Sequence, residues 1–235
     1  MRSSRSADPL SPGPAGFAHR GRHGPFPFVE NSLTAFAASL EIGAGIECDV
    51  RLTADNRIVV FHDSDTFRLT GQSLCVETAT LDEVQALPFA DHPIPTLAQL
   101  LKLVDGRAPM LIEVKCDGRR ADWVRALGEA LSDYRGRYGV MSFDPLMMHW
   151  ICAKLPRVRR GLVIGDRLGP IKRWLAIRHA RPEFVAVETH AAPKRWAQRL
   201  RARIPLYCWT VKTSVERKTL EPLADALIWE GDGRG

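Results

Sequence analysis

The sequence predicts a single TIM-type (β/α)8 barrel with a small insertion after the second strand. Three observations lead there. β-rich runs begin near Met110, Tyr138, Arg160, Phe184, Pro205 and Asp225, at spacings of 28, 22, 24, 21 and 20 residues. That is the cadence of repeated β-α units, which implies parallel strands. Two earlier runs, residues 16–19 and Gly45–Leu52, bring the count to eight, the number that closes a parallel barrel. Finally, a chain of 235 residues with 45% hydrophobic content suits one barrel, large enough to bury its core without covalent staples.

Each element has its own justification. Residues 1–15 are basic at the start and rich in Pro and Ser, which reads as a flexible arm. The barrel domain is expected over 16–235. Residues 16–19 form the first strand, and 32–42 follow as its helix. Gly45–Leu52 is the second strand. The turn-rich stretch 53–57 then reverses the chain into a strand over 58–61, a hairpin folding back beside the second strand. Residues 63–95 break the barrel rhythm and are expected as a small insertion over the mouth, with one short helix at 81–87. They are too few to hold a core of their own as a second domain. Pro95-Thr96 signals a helix over 96–104. The six regular units follow, and after the eighth strand Gly231–Gly235 leaves no room for a full eighth helix.

Composition narrows the function classes. The longest apolar stretches are a few residues, far below the roughly 18 needed to span a bilayer, so no stable membrane insertion is expected. The basic N-terminus lacks an apolar stretch and makes a poor secretory signal. Five cysteines at 48, 75, 116, 152 and 208, with no CxxC pair, fit reduced thiols in a cytoplasmic protein. The net charge of +6 comes from 26 Arg against 7 Lys. A basic surface attracts phosphate polymers. Here, however, no nucleic-acid motif accompanies it, and the charges at 194, 195, 199, 201 and 203 fall on the outer positions of an expected barrel helix. A small anionic substrate fits better than a nucleic-acid partner. Oligomeric state leaves no mark in the sequence.

The chemistry begins at Glu47-Cys48-Asp49. Alternate side chains of a strand share a face, so Glu47 and Asp49 point together among the apolar neighbours Ile46, Val50 and Leu52. Two adjacent carboxylates in a buried strand repel and lose hydration; a cation between them, or a buried arginine or lysine, relieves both costs. Glu113 and Lys115 share a face of the strand Met110–Val114 and its continuation. Three carboxylates without Cys or His partners suit one hard divalent ion, Mg²⁺ or Ca²⁺. Lys115 beside them can grip a phosphate oxygen or simply balance the carboxylates. His19-Arg20 follows the first strand, where barrel active sites gather. His62 ends the returning hairpin arm, which should bring it back to the level of the carboxylates. Two histidines at one site suggest an acid and a base, and the planar fork of Arg20 suits a phosphate. His149 and His179 are expected to be structural; His23 and His92 lie in loops and receive no role.

Taken together, these residues resemble the glycerophosphodiester phosphodiesterase family. The matching elements, in family order, are His19-Arg20-Gly21, Glu30-Asn31-Ser32-Leu33-Thr34-Ala35-Phe36, Glu47-Cys48-Asp49-Val50, and Leu52-Thr53 through His62-Asp63. Arg68-Leu69-Thr70-Gly71, Pro95-Thr96-Leu97, Glu113-Val114-Lys115, Ser142-Phe143-Asp144 and Trp209-Thr210-Val211 continue the series. The resemblance runs from about Ala18 to Glu230. It implies cleavage of a phosphodiester next to a glycerol, releasing glycerol 3-phosphate and an alcohol. Carried over by position, His19 and His62 are the acid/base pair. Glu47, Asp49 and Glu113 hold the divalent metal, and Arg20 and Lys115 hold the phosphate. Trp209 lines the substrate pocket, and Glu30 orients the first loop. The family and its relatives also imply attack by the neighbouring glycerol hydroxyl and a cyclic phosphate.

Several positions depart from the family pattern. Val29 replaces a proline, Ser32 replaces a threonine, and the loop over residues 22–29 is slightly long and carries His23. Lys212 stands where asparagine is common, and Trp229-Glu230 replaces Thr-Asp. None belongs to the metal set; they bear on the leaving group and on the closing edge of the barrel. Two other readings use the same scaffold. A lysophospholipase-D-type activity on lipid-like diesters needs an apolar groove, for which Phe67, Leu69, Leu74 and Phe89 of the insertion are candidates, although packing of the insertion explains them equally. A non-catalytic phosphate-ester binder should lack a metal carboxylate or a histidine, and all five are present.

Overall fold

The computed structural model describes residues 8–25, 27–116, 118–165 and 168–234. Nine strands run as β1 (Phe17–Ala18), β2 (Gly45–Leu52), β3 (Ile58–Val60), β4 (Met110–Val114), β5 (Tyr138–Ser142), β6 (Arg160–Ile164), β7 (Phe184–Glu188), β8 (Leu206–Val211) and β9 (Ala226–Trp229). β1, β2 and β4 to β9 pair in parallel around a closed ring, with β1 between β9 and β2. The helices are α1 (Leu33–Glu41), α2 (Phe67–Thr70), α3 (Leu81–Gln85), α4 (Leu97–Val104), α5 (Arg120–Leu131), α6 (Pro145–Lys154), α7 (Pro170–Ala180), α8 (Arg195–Arg201) and α9 (Ser214–Leu220). This is the TIM-type barrel that the spacing predicts.

The hairpin follows from the shortness of β1. Only Phe17 and Ala18 pair with the start of β2, at Gly45 and Ile46. β4 covers the other edge of β2 from Ile46 to Val50. The upper half of the edge vacated by β1 is therefore taken by β3, antiparallel, with Val50 opposite Val60 and Leu52 opposite Ile58. The Phe61 amide donates to the Asp49 carbonyl at 3.0 Å, so the returning chain delivers His62 beside Asp49.

Side-chain alternation divides the core in two. Ile46, Cys48, Val50, Met110, Ile112 and Val114 face outward and pack under the helices. Phe17, Leu111, Met141, Val163, Phe184, Ala186, Tyr207 and Ile228 face inward and fill the barrel. At its floor the filling is aromatic. Gly161 leaves space for the Phe184 ring, and a Cβ on Gly139 would lie 2.7 Å from Leu10 Cδ1, so these strand glycines mark close packing rather than turns. Polar side chains are thereby confined to the upper end of the strands.

The insertion is seated, not free-standing. Val59, Phe61, Val76, Ala79, Val84, Phe89 and Ile94 form one buried cluster, with Leu69 and Leu74 packed against it. Of the four apolar residues singled out above, Phe67 alone stays largely exposed, at 63%. The short helix at 81–87 is found as α3, and α2 is an additional turn of helix.

Within the stretch expected as an arm, 1–15, residues 8–15 lie against the barrel, and residues 1–7 lie outside the described part. Leu10 is 2% exposed and packs on the barrel floor. Asp8 holds it there, accepting from the Tyr207 hydroxyl, from Arg159 at 2.8 Å and from the Leu10 amide at 3.1 Å. Further along, buried Arg217 of α9 donates to the carbonyls of Gly233 and Pro14, and Trp229 Nε1 donates to the Ala15 carbonyl at 2.7 Å. Arg217 thus ties residues 231–234 to the N-terminal segment. Leu10→Ala should lower stability by about 2–4 kcal/mol, the usual cost of a leucine-sized cavity. Urea unfolding checks this; a change below about 0.5 kcal/mol, the scale of surface substitutions, would mean that the segment does not close the floor.

Candidate active site

The upper end of the barrel holds a cavity of about 520 Å³, a size that suits a small organic ligand. His19, Arg20, Glu47, His62, Glu113, Lys115 and Trp209 line it, together with Glu30, His23, Phe143, Lys212 and Glu230. Asp49 lies just beneath, 1% exposed.

Strand alternation brings the three carboxylates together. Oxygens of Glu47, Asp49 and Glu113 lie within 4.8 Å of one another, and all three residues are buried. Glu47 Oε1 is shielded from solvent and has no hydrogen-bond partner. A buried carboxylate oxygen without a partner is costly. The electrostatics agree. Burial, then the charges of Asp49 and Glu113, push the Glu47 carboxyl well up; burial likewise pushes Glu113 up against the pull of Lys115. Burial also acts on Asp49, but Lys115 and Arg20 overcome it and hold Asp49 well below the usual carboxylate range. An all-oxygen set with an unsatisfied lone pair fits a hard divalent cation.

Lys115 Nζ sits 2.8 Å from Asp49 Oδ1 and also contacts Glu113. These two anions outweigh burial and keep it charged. Arg20 adopts a left-handed backbone (φ 56°), which turns its amide onto Glu47 Oε2 at 2.9 Å. Its guanidinium reaches Asp49 at 3.1 Å and Glu30 at 2.8 Å. Asn31, also left-handed and fully buried, clamps Asp49 from both sides: its Nδ2 donates to Oδ2 at 3.0 Å and its Oδ1 accepts the Asp49 amide at 3.2 Å.

Both histidines are held by carboxylates through Nδ1. His62 Nδ1 is 2.7 Å from Asp63, and His19 Nδ1 is 3.0 Å from Glu230. Glu230 is held far below the ordinary range, first by its bond to His19; Asp63 is also lowered, with hydrogen bonds from Arg68 and His62 overcoming burial. Ionised carboxylates only accept, so each Nδ1 carries a proton, and in a neutral ring that leaves the lone pair on Nε2. His19 Nε2 points toward Glu47, 4.0 Å away. Burial lowers the pKa of His62, which favours its neutral form. Asp63 continues through Arg68 (2.6 Å) to Glu30 (2.7 Å), joining the insertion to the first loop. Trp209, on the seventh ring strand β8, meets Phe143 edge-to-face at 5.6 Å and forms an apolar wall.

Three residues escaped the sequence reading. Asn31 appeared only as part of a motif. His23 was left without a role, yet its Nε2 lies 3.8 Å from Glu230. Glu230 appeared only as a departure at the closing edge, yet it holds His19, while Lys212, another of the departures, holds Glu230 Oε1 at 2.9 Å. The chemical signal was there, a lysine where asparagine is common and a glutamate one methylene longer than the usual aspartate, but pairing them requires the fold. His149 and His179 lie exposed on α6 and α7.

Carboxylates, cations and oriented histidines gathered at the C-terminal ends of parallel strands are the arrangement of a β/α-barrel enzyme site. The comparisons give the family. The model of the glycerophosphoryl diester phosphodiesterase family matches residues 19–228, and the chain belongs to that family. It is 28% identical over 218 residues to the glycerophosphodiester phosphodiesterase of Caldanaerobacter subterraneus, covering 85% of this chain and 87% of the relative. The crystal structure of a Thermotoga maritima glycerophosphodiester phosphodiesterase superposes with a TM-score of 0.77 at 26% identity, covering 93% of this chain and 94% of that one. An Oleispira antarctica phosphodiesterase in complex with the product sn-glycerol-3-phosphate has a TM-score of 0.81 at 19% identity, with 93% of each chain covered.

Glu230→Gln keeps the shape of the side chain but removes the charge that fixes the His19 tautomer. It should lower kcat roughly tenfold to a hundredfold, less than loss of the imidazole, with KM little changed. Steady-state kinetics decide; an unchanged kcat would show that Glu230 does not position His19.

Proposed function

We propose that the protein hydrolyses small glycerophosphodiesters to glycerol 3-phosphate and an alcohol, with one divalent cation, Mg²⁺ or Ca²⁺, held by Glu47, Asp49 and Glu113. One observation carries this reading: a single cavity faces three converging carboxylates, two cationic side chains and two carboxylate-held histidines. When bound, the cation supplies Lewis-acid polarisation of the phosphoryl group.

The chain's own residues do the rest. Lys115 and Arg20 face the phosphate oxygens and stabilise the charge that builds in the transition state. The glycerol hydroxyl next to the phosphate attacks phosphorus, an internal step that gains from enforced proximity. One histidine accepts the hydroxyl proton at Nε2. The other, entering as imidazolium, protonates the departing alcohol, and the carboxylate on its Nδ1 favours that charged state. Water then opens the cyclic phosphate with the roles exchanged. Trp209 and Phe143 form the apolar side of the pocket against the glycerol carbons. The charged residues that ring the cavity, Arg20, Glu30, Lys115, Lys212 and Glu230 among them, favour small polar diesters over lipid-like ones. The test is release of glycerol 3-phosphate from glycerophosphodiesters with Mg²⁺, Ca²⁺ or chelator.

A further inference from the structure

The cavity contains a second donor set of a different chemical kind. His19, His23 and Glu230 each offer one ligand atom, and the three atoms lie within 4.8 Å of one another. Two of the separations are 3.0 Å (His19 Nδ1 to Glu230 Oε2) and 3.8 Å (His23 Nε2 to Glu230 Oε2). Ligands at the usual bond lengths of about 2.0–2.2 Å around a tetrahedral zinc are spaced by roughly 3.3 Å, so small side-chain rotations close this set on an ion. His23 Nε2 is shielded from solvent and reaches Glu230 Oε2 only at 3.8 Å, beyond a normal hydrogen bond, so coordination would give it a closer partner. All three residues line the cavity, which leaves a fourth position open on its side.

We propose that His19, His23 and Glu230 form an inhibitory binding site for a borderline divalent transition metal, Zn²⁺ in the first instance, separate from the carboxylate set. The two sets sort ions by hardness. Three carboxylates favour Mg²⁺ or Ca²⁺, while two imidazoles and one carboxylate favour Zn²⁺. Of the trio, His23 lies in the lengthened first loop, and Glu230 stands at the acidic position that ends the last strand, one methylene longer than the family's aspartate. Lys212 grips Glu230 Oε1 and leaves Oε2 for the histidines. Lys212 is 65% exposed, so it can swing into solvent as the cation enters.

Inhibition follows from the His19 tautomer and rests on the acid/base role proposed above. With Nδ1 donating to Glu230, the neutral ring has its lone pair on Nε2, which faces Glu47. A metal on Nδ1 displaces that proton, and the neutral ring holds its remaining proton on Nε2. The lone pair that would accept the hydroxyl proton is gone, and a metal-bound ring resists becoming an imidazolium.

The experiment titrates Zn²⁺ into the folded protein at saturating Mg²⁺ by calorimetry, comparing wild type with His23→Ala. Co²⁺ serves as a spectroscopic stand-in, through the visible bands of its tetrahedral complexes. Expected is a Zn²⁺ site, retained at saturating Mg²⁺, whose affinity falls at least about tenfold in His23→Ala, with the Co²⁺ bands lost. With turnover expressed relative to each protein's own zinc-free rate, inhibition by Zn²⁺ should weaken in His23→Ala in step with affinity. Equal Zn²⁺ affinity in the two proteins would overturn the site. Binding that depends on His23 combined with equal inhibition in both proteins would overturn the inhibitory role. The binding arm needs no substrate, so it decides the metal site even if no glycerophosphodiester is hydrolysed.

Discussion

His19→Ala and His62→Ala should each lower kcat for a glycerophosphodiester at least about a hundredfold, the usual scale of general acid–base catalysis. The two side chains face the same cavity from different elements, His19 after β1 and His62 after β3. Each is oriented by its own carboxylate, so neither substitutes for the other. Folding should survive, because His19 and His62 keep 14% and 31% of their side-chain surface exposed and project into the cavity, not into the packed core. Circular dichroism and metal affinity measured alongside the kinetics separate a catalytic loss from a structural one. Near-normal turnover in either variant at matched metal occupancy would remove that histidine from the mechanism.

Lys115→Met should lower kcat/KM by about a hundredfold or more, the scale set by removing one preorganised group that stabilises transition-state charge. Lys115 also contacts Asp49 and Glu113, so a purely neutralising role makes the opposite forecast. Without the lysine, the three carboxylates would be less compensated. A divalent cation would then bind more tightly, and catalysis at saturating metal would persist. The phosphate role is favoured because Lys115 and Arg20 present positive charge to the same cavity that the histidines face. Kinetics at saturating metal and calorimetric metal affinity discriminate the two. Tighter metal binding with kcat/KM preserved would assign Lys115 to charge balance alone.

Much of this molecule was legible in its sequence, for reasons that can be named. The barrel was readable because each β-α unit repeats at 20 to 28 residues and carries its own apolar pattern. The carboxylate set was readable because strand period alone places Glu47 with Asp49 and Glu113 with Lys115 on inward faces. Even His62 could be placed, since a hairpin fixes register and Val50 does pair with Val60. What could not be read depends on contacts between distant segments. Glu230 meets His19 across 211 residues, and Asp8 meets Tyr207 across 199. No local periodicity encodes such pairs. The place of Leu10 is a further case: only the aromatic floor of the barrel makes it a core residue.

The measurement that bears most directly on function is release of sn-glycerol 3-phosphate from the choline, ethanolamine and glycerol diesters of glycerol phosphate. It is followed at saturating Mg²⁺, at saturating Ca²⁺ and in excess chelator, with Asp49→Asn as the matched control. The expected result is glycerol 3-phosphate with an equimolar amount of free alcohol from at least one diester, abolished by chelator and reduced at least about a hundredfold in Asp49→Asn. Turnover that survives chelation, or no glycerol 3-phosphate from any diester with either metal, would contradict a metal-dependent glycerophosphodiesterase at this site.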